Sequence, residues 1–247
     1  MPESIRLNPA LDAREFAGAF QRDGMVQVSD FLTPDSADRL EAALKTGTPW
    51  GLSLTNAAGK GEWLSPEAIR TLGREGVAAK ARDAMTGART GFGFCFLSYP
   101  IIDALLAGKE PGHPTHELVQ LLNSPEARDF CAAVAGETGI TKIDAQATLF
   151  RPGDYLTLHN DTGVGERRAA YTLGLTRDWR TDWGGQLLFH DEAGDVPRGL
   201  MPRFNVLTLF RTPQWHTVAT VAPYAGAPRL SITGWLRDDK PYAEQGR

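Results

Sequence analysis

The N-terminal part of the chain alternates between two periods of apolar positions. Residues 13–20 repeat apolar side chains at the i, i+3, i+4, i+7 spacing of an amphipathic helix. Residues 25–32 alternate apolar and polar side chains, which predicts a strand. Thr33 and Pro34 suit the N-cap and first turn of a second helix, whose apolar face continues to about Leu44. The pattern therefore predicts a helix, a strand and a second helix in this order.

The middle of the chain carries weaker patterns. Residues 46–61 are rich in Gly, Thr, Asn and Ser and predict a long surface loop. Residues 91–102 are aromatic and strand-like, and residues 124–136 begin with Ser-Pro and end at Gly, as a helix does. His113 and His116 fall between these two elements, in a stretch bearing Pro and Gly that predicts a loop.

From residue 143 onward the chain consists of short apolar runs separated by turn residues. These runs predict seven strands, at about 143–151, 155–160, 168–175, 185–190, 204–210, 215–221 and 229–236. No helical period separates them, which favours an antiparallel sandwich or barrel. We expect a mainly β fold with packing helices, in which the helices of residues 1–140 cover one outer face of a β core at 141–237. No Pro- or Ser-rich linker interrupts the chain, so residues 1–247 are expected to form a single domain.

Composition narrows the classes of partner. The net charge of −4 gives no basic excess for nucleic acid or an anionic membrane surface. Cys95 and Cys131 are the only cysteines and are far apart, which favours free thiols in a reducing compartment over a disulfide framework. No secretion signal and no apolar run of about 18 residues is apparent, so we expect a soluble, cytoplasmic protein. The oligomeric state is left open.

A histidine and an aspartate stand two residues apart in the stretch LTLHND, residues 156–161. Because alternate residues of a strand point to the same face, His159 and Asp161 present a nitrogen and an oxygen ligand together. His216, which opens the run HTVATV, is the best placed third ligand among the five histidines. Two imidazoles and one carboxylate form the facial triad typical of non-haem Fe(II) oxygenases, with positions left open for cosubstrate and dioxygen. A structural zinc site normally has a fourth protein ligand, for which the sequence offers no candidate.

A rival pair with the same spacing is His190 and Glu192. It begins the stretch HDEAGD, where Gly and acidic residues predict an exposed hairpin turn. An isolated His-x-Asp is also more often a turn or a satisfied surface pair than a metal site. The choice between the pairs therefore depends on the residues further along the chain.

An arginine on the last predicted strand supplies that context. Arg229 lies 13 residues beyond His216 and begins RLSITGWLR, so we expect the two strands to be paired neighbours that point into one barrel. A buried guanidinium is costly unless it meets an anion, and its planar fork matches a carboxylate. Ser231 faces the same side and can donate a hydroxyl hydrogen bond to the same anion. An arginine paired with an internal Asp or Glu is the alternative.

These motifs together resemble a known family. The order YLTLHND, RRAAYTLGLTRDWRTDWGGQLLF, FNVLTLF, HTV and RLSITGW is similar to that of the prolyl-hydroxylase-type 2-oxoglutarate- and Fe(II)-dependent oxygenases. The likeness is greatest to the catalytic domain of the ribosomal prolyl hydroxylases, and it covers roughly residues 140–237. It implies a double-stranded β-helix, or jelly roll, as the core of the fold.

The resemblance also implies a site and a reaction. His159, Asp161 and His216 would hold Fe(II), while Arg229, helped by Ser231, would bind the distal carboxylate of 2-oxoglutarate. Tyr155, four residues before the first ligand, is a candidate for an added hydroxyl at the cosubstrate pocket. The implied reaction is hydroxylation of an unactivated C–H bond with dioxygen, with release of succinate and carbon dioxide and with ascorbate as a candidate reductant.

One departure from the family concerns the strand after the metal pair. The family usually has Leu-Tyr-Leu there, with a tyrosine that reaches the cosubstrate, whereas this chain has Leu-Gly-Leu with Gly174. Tyr155, Thr172 or Ser231 can supply the lost hydrogen bond; the alternative is a pocket enlarged for a different substrate pose.

The substrate is less well specified by the sequence than the cosubstrate. Trp183 and Trp215 flank the predicted site as candidates for an apolar wall, with ordinary packing as the alternative. Arg167 and Arg168 are candidates for contacting an acidic substrate, the alternative being a solvated pair; adjacent strand residues face opposite ways, so we expect at least one of them to face solvent. Three functions stay open: hydroxylation of a prolyl residue of a protein or peptide, hydroxylation of a free amino acid or other small metabolite, and a jelly-roll metal- or ligand-binding module without turnover.

Overall fold

The computed structural model describes residues 4–162 and 166–242. Its helices are α1 (Ala13–Asp23), α2 (Pro34–Thr46), α3 (Pro66–Gly87), α4 (Ile101–Leu106), α5 (Pro114–Leu122) and α6 (Pro125–Ala135). Its strands are β1 (Met25–Val28), β2 (Gly51–Thr55), β3 (Gly61–Leu64), β4 (Phe94–Tyr99), β5 (Lys142–Ile143), β6 (Gln146–Phe150), β7 (Tyr155–His159), β8 (Arg167–Gly174), β9 (Leu187–Phe189), β10 (Arg198–Leu200), β11 (Val206–Arg211), β12 (His216–Val218) and β13 (Arg229–Arg237). A short 3-10 turn occupies Thr181–Trp183.

The strands form two facing groups that meet at β4. The larger group runs β1-β11-β8-β13-β6-β4, with the β2–β3 hairpin added beyond β4. The smaller group runs β7-β12-β9-β10 and is joined to the larger one because β4 pairs with both β6 and β7. Every pairing among the described strands is antiparallel. The predicted fold class is confirmed: a mainly antiparallel β architecture with several helices, consistent with a jelly-roll oxygenase fold.

The two-residue period of the strands sorts their side chains between a helix-covered face and an internal cavity. On β13, Leu230, Ile232 and Leu236 join the main hydrophobic core, whereas Arg229 and Ser231 point into the cavity. The main core also contains buried side chains of α1, α2, α4, α5 and α6. A smaller hydrophobic cluster forms where α3 packs against the outer side of β2 and β4. The prediction that the helices cover the outer face of the β core agrees with this packing.

The predicted loop at 46–61 is wrong, because the chain there forms β2 and the start of β3. All five residues of β2 are buried between α3, β3 and β4. Leu52 and Leu54 alternate with Ser53 as a strand requires, but Gly and Thr on either side give the segment the composition of a turn. Tertiary pairing decides the conformation of this segment.

The loop predicted around His113 and His116 is also corrected. His113 is the N-cap of α5, and His116 lies buried within its first turn. The imidazole Nδ1 of His113 accepts a hydrogen bond from the backbone N–H of Thr115, a capping role for which Ser, Thr, Asp and Asn are the usual residues. The sequence did not predict α3, α4 or β10.

The strands that carry His216 and Arg229 are not neighbours, contrary to the prediction. β12 pairs with β7 and β9, whereas β13 pairs with β8, β6 and β5. The connection between them crosses from the smaller group of strands to the larger one. Both side chains still reach the internal cavity, because its two walls are the facing sides of these groups.

No helix in the described part of the chain is both long enough and apolar enough to cross a membrane.

Two leucines at opposite extremes of burial test this packing. Leu209 of β11 is fully buried in the main core, and Leu106 of α4 is 61% exposed. We expect Leu209→Ala to lower the free energy of unfolding by about 2–5 kcal/mol, since it leaves a cavity. The matched Leu106→Ala should change it by less than about 0.5 kcal/mol. Urea denaturation measures both values, and similar losses in the two variants would contradict the assigned core.

Candidate active site

Three side chains on or beside two paired strands form a group that can hold a metal ion. His159 ends β7, His216 begins β12, and the two residues are direct partners in the ladder between these strands. Asp161 follows β7 in the left-handed backbone region, with a φ of 60°. One ligand atom from each of the three residues lies within 4.8 Å of the others. The sequence-predicted triad is therefore brought together, and the spacing suits one shared cation.

Backbone hydrogen bonds set the tautomer of both imidazoles. His159 Nδ1 lies 2.8 Å from the carbonyl oxygen of Thr157, and His216 Nδ1 lies 2.6 Å from that of Gln214. A carbonyl oxygen only accepts, so each Nδ1 carries the proton and each Nε2 presents a lone pair. The two Nε2 atoms lie 3.8 and 3.7 Å from the carboxylate oxygens of Asp161.

Burial keeps one of these imidazoles neutral. Desolvation, followed by the nearby His159, lowers the pKa of His216 to about 4. A neutral imidazole at physiological pH is the form that binds a metal ion.

Two further side chains orient the carboxylate of Asp161. The indole N–H of Trp235 donates to Asp161 Oδ2 over 3.2 Å, and the guanidinium of Arg167 lies 3.6 Å from Asp161 Oδ1. Arg167 also stacks over the Trp235 ring at 3.6 Å. Outer contacts of this kind fix the orientation of a metal ligand. Of the two adjacent arginines singled out from the sequence, Arg167 lies at the site, whereas Arg168 is half exposed and pairs with Asp238.

A buried arginine without an acidic partner lies in the same cavity. Arg229 is 3% exposed, and burial lowers its pKa to about 10, so it remains protonated at neutral pH. Its Nη1 donates to Ser231 Oγ over 3.0 Å, and Ser231 Oγ lies 2.8 Å from Thr148 Oγ1. The Nε has no hydrogen-bond partner among the described residues. The alternative of an internal Arg–carboxylate pair is thus not what the structure has, and the cavity offers an uncompensated positive charge to an anion.

The cavity that contains these groups has a volume of about 390 Å³. An apolar wall of four phenylalanines lines it: Phe92, Phe94, Phe96 and Phe150. Successive rings along this wall are 4.6 to 5.7 Å apart, and Phe92 lies 5.5 Å from the ring of His159. The cavity thus combines a metal-binding end, a cationic end and an apolar wall. The sequence predicts an aromatic strand at residues 91–102, but the pattern of one strand does not predict that its phenylalanines line the cavity.

Tyr155 faces away from the cavity, contrary to the prediction. It packs in the cluster beneath α3, beside Cys95, and Leu156 lines the cavity in its place. On a regular strand Tyr155 and His159 would share a face. The register between β7 and β12 shifts between His216 and Val218, so that one extra residue of β7 reverses the faces.

The two predicted substrate tryptophans do not line the cavity either. Trp183 lies in the 3-10 turn and meets Trp179 edge-on, with ring centroids 5.3 Å apart. Trp215 precedes β12 and is 48% exposed. The rival pair also lies elsewhere: His190 contacts Thr217 Oγ1 at 3.2 Å, and Glu192 lies in an exposed turn.

Gly174 leaves no free space for an enlarged pocket. A Cβ at this position would lie 2.2 Å from the backbone oxygen of Arg203, so the main chain before β11 occupies the place of a side chain. Gly174 is also the direct ladder partner of Ser231. Of the candidates for the missing tyrosine's hydrogen bond, Ser231 is the one already bonded to the cavity arginine.

Comparisons with known proteins agree with this arrangement. Residues 145–237 match the family model of the 2OG-Fe(II) oxygenase superfamily, a range that includes all five of His159, Asp161, His216, Arg229 and Ser231. No curated protein matches the sequence.

Several solved structures share the fold. A Pseudomonas putida prolyl-4-hydroxylase is similar with a TM-score of 0.55 and 18% identity over 93% of this chain and 100% of that one. A Trichoplax adhaerens prolyl hydroxylase, solved with a peptide fragment of the hypoxia inducible factor oxygen degradation domain, is similar with a TM-score of 0.58 and 18% identity. The match covers 92% of this chain and 89% of that one. An oxidoreductase of the 2OG-Fe(II) oxygenase family from Burkholderia pseudomallei is similar with a TM-score of 0.58 and 14% identity. The match covers 96% of this chain and 95% of that one. At these identities the similarity shows the fold.

Metal binding tests the assignment of the triad over the rival pair. Second-sphere changes alone cost a metal site about 10- to 100-fold in affinity, so His216→Ala should weaken binding of Fe(II) or Mn(II) by at least about 100-fold. His190→Ala should retain the wild-type affinity, because His190 lies outside the group. Anaerobic calorimetry measures both dissociation constants, and a larger loss in His190→Ala would contradict the assignment.

Proposed function

We propose that the chain, whose residues 145–237 match the 2OG-Fe(II) oxygenase superfamily, is a 2-oxoglutarate- and Fe(II)-dependent dioxygenase of the prolyl-hydroxylase type that hydroxylates a prolyl residue of a protein or peptide. The single observation that carries the assignment of its site is the juxtaposition, in one cavity, of a metal-binding triad and a buried arginine without a carboxylate partner. The proposal of a prolyl substrate is supported by the similarity to prolyl hydroxylases and by the apolar wall of the cavity.

In this proposal His159, Asp161 and His216 hold the Fe(II). Both imidazoles present Nε2 lone pairs, and the carboxylate contributes one negative charge against the two positive charges of the ion. Trp235 and Arg167 hold the carboxylate from outside. Three protein ligands leave the remaining coordination positions for cosubstrate and dioxygen.

The proposed role of Arg229 is to bind the distal carboxylate of 2-oxoglutarate. The unsatisfied Nε and the charge of the guanidinium suit a carboxylate at this end of the cavity. Ser231 and Thr148 complete the polar surface around that anion. The site fits the cosubstrate because, among the described residues, no carboxylate pairs with Arg229, so an incoming anion displaces no internal ion pair.

When bound, Fe(II) and 2-oxoglutarate activate dioxygen, so that one oxygen atom enters a C–H bond of the substrate while 2-oxoglutarate becomes succinate and carbon dioxide. The chain's own residues position the partners of this reaction. The phenylalanine wall offers an apolar surface to a pyrrolidine ring, and Phe92, at the exposed end, lies next to His159. The buried Nε of Arg167 has no hydrogen-bond partner among the described residues, and its guanidinium lies at the metal end of the cavity. We propose ascorbate as the reductant that keeps the iron in the Fe(II) state.

A free amino acid or small metabolite is the alternative substrate class, and the test below separates it from a peptide. For location, we propose the cytoplasm, because both cysteines are free and buried, as is usual for proteins of a reducing compartment.

Product analysis tests the proposed reaction. With Fe(II), ascorbate and 2-oxoglutarate, we expect succinate and a gain of one oxygen atom on proline-containing peptides, read by mass spectrometry. Asp161→Ala should abolish both signals because the metal loses a ligand, whereas the exposed Asp129→Ala on α6 should retain them. A gain of oxygen confined to free amino acids in a mixed pool would overturn the prolyl-peptide proposal.

Substitution of Arg229 tests the cosubstrate site by its effect on the stability of the protein with and without 2-oxoglutarate. Arg229→Met keeps the volume and removes a buried charge, so the protein without cosubstrate should become more stable by about 1–4 kcal/mol. The same variant should lose the increase in melting temperature that 2-oxoglutarate gives the metal-loaded wild type. The control Arg168→Met removes a surface ion pair and should keep that increase. Undiminished protection of Arg229→Met by 2-oxoglutarate would contradict the assigned role.

A further inference from the structure

A second cavity opens beside the first. It has a volume of about 570 Å³ and shares Ser53 and Gln146 in its lining with the cavity that contains the metal triad. We call it the side groove. Its apolar lining includes Pro49, Trp63 and Pro100. Because the two spaces share these lining residues, they adjoin at Ser53 and Gln146.

The β2–β3 hairpin supplies the aromatic part of the side groove. Trp63 of β3 is the ladder partner of Ser53 of β2, and it is 40% exposed although it is large and apolar. Its indole lies over Gly51, where a Cβ would come within 2.5 Å of the Nε1 atom. Ser53 Oγ is hydrogen-bonded to Ser98 Oγ over 2.6 Å, which ties the hairpin to β4. The exposed indole is thus held in place in the wall of the side groove.

The charged groups of the side groove are mainly acidic. Three carboxylates line it, from Glu67, Asp103 and Glu110, and the lining contains one ammonium, that of Lys109. Glu67 is also paired with Arg70 over 2.9 Å on the surface of α3. Glu110 accepts a hydrogen bond from the hydroxyl of Tyr99 over 3.0 Å, which fixes that carboxylate in the wall. Asp103 forms no ion pair with any described residue and is exposed to an incoming ligand. An exposed indole and nearby carboxylates both attract a cationic side chain.

We propose that the side groove holds the stretch of the substrate polypeptide next to the hydroxylated residue and selects Lys or Arg in that stretch. This inference rests on the proposed function and names the sequence context of its substrate. The cavity of about 390 Å³ alone is large enough for the cosubstrate and one residue-sized group, whereas the adjoining 570 Å³ has a use only when the substrate extends beyond the reacting residue. The net charge of −4 on the chain favours approach of a basic polypeptide.

Paired peptides test the selection directly. Each pair carries one proline and differs only in Arg or Glu at one flanking position, and kcat/KM for gain of oxygen is measured for both. We expect the Arg peptide to be favoured by at least about 10-fold at one or more positions. The double variant Glu67→Lys/Asp103→Lys should abolish or invert this ratio. The matched control Asp83→Lys, on the exposed side of α3, should keep the wild-type ratio. Because both peptides are measured with the same variant, a general loss of its activity lowers both kcat/KM values equally and leaves their ratio unchanged.

The proposed contact between Trp63 and a basic side chain of the substrate is tested by the KM values of Trp63 variants. Trp63→Ala should raise KM for the favoured Arg peptide by about 3- to 10-fold, with a smaller change for the Glu peptide, because a cation–π contact is lost with the indole. Trp63→Phe should restore part of the affinity, since it keeps an aromatic face. Circular dichroism and thermal melting verify that each variant is folded before its ratio is taken.

Binding without turnover separates this inference from the proposed function. Calorimetry of the same peptides against the Fe(II)- and 2-oxoglutarate-loaded protein under anaerobic conditions reports affinity alone. Preference for Arg peptides that is lost in the double variant, without any gain of oxygen in air, supports the side groove and overturns the prolyl hydroxylase. Equal affinity and equal kcat/KM for Arg and Glu peptides, or a preference that the double variant retains, overturns the side groove.

Discussion

The two-residue alternation of antiparallel strands is the constraint on which the site depends. The strands of the larger group that line the cavity give one set of side chains to the hydrophobic core and the other set to the cavity, as Leu230 and Arg229 do on β13. The core set is apolar and closely packed, which fixes the register of every ladder and thereby the position of each cavity residue. A shift by one residue would carry Arg229 into the core and Leu230 into the cavity.

Much of the site was predictable because its residues lie close together on single strands. The spacing of Arg229 and Ser231 follows the strand period directly, whereas Asp161 lies beyond the end of β7 with a φ of 60°, so its position beside His159 comes from a turn of the backbone and not from strand alternation. The sequence predicts Arg167 only as a contact for an acidic substrate and does not predict Trp235 at all, since pairing of β8 with β13, and not local sequence, brings both side chains to Asp161.

The errors have equally specific causes. A regular strand would point Tyr155 into the cavity, which is what the sequence predicts. A single extra residue in β7 turns the side chain to the opposite face of the strand. The Gly, Thr and Ser content of the β2–β3 hairpin predicts a loop, whereas its conformation comes from pairing of β2 with β4 and from packing against α3. Irregularities of one residue and long-range pairings leave little trace in a single sequence.

The main-chain carbonyl that approaches Gly174 has a consequence for how this cavity can change. Elsewhere the wall consists of side chains such as Phe92 and Phe94, so a single substitution there alters its shape. At Gly174 the place of a side chain is taken by the backbone carbonyl of Arg203, which is the same whatever amino acid is encoded. Remodelling that corner requires an insertion or deletion in the segment before β11, whereas the aromatic side is open to adaptation by point mutation.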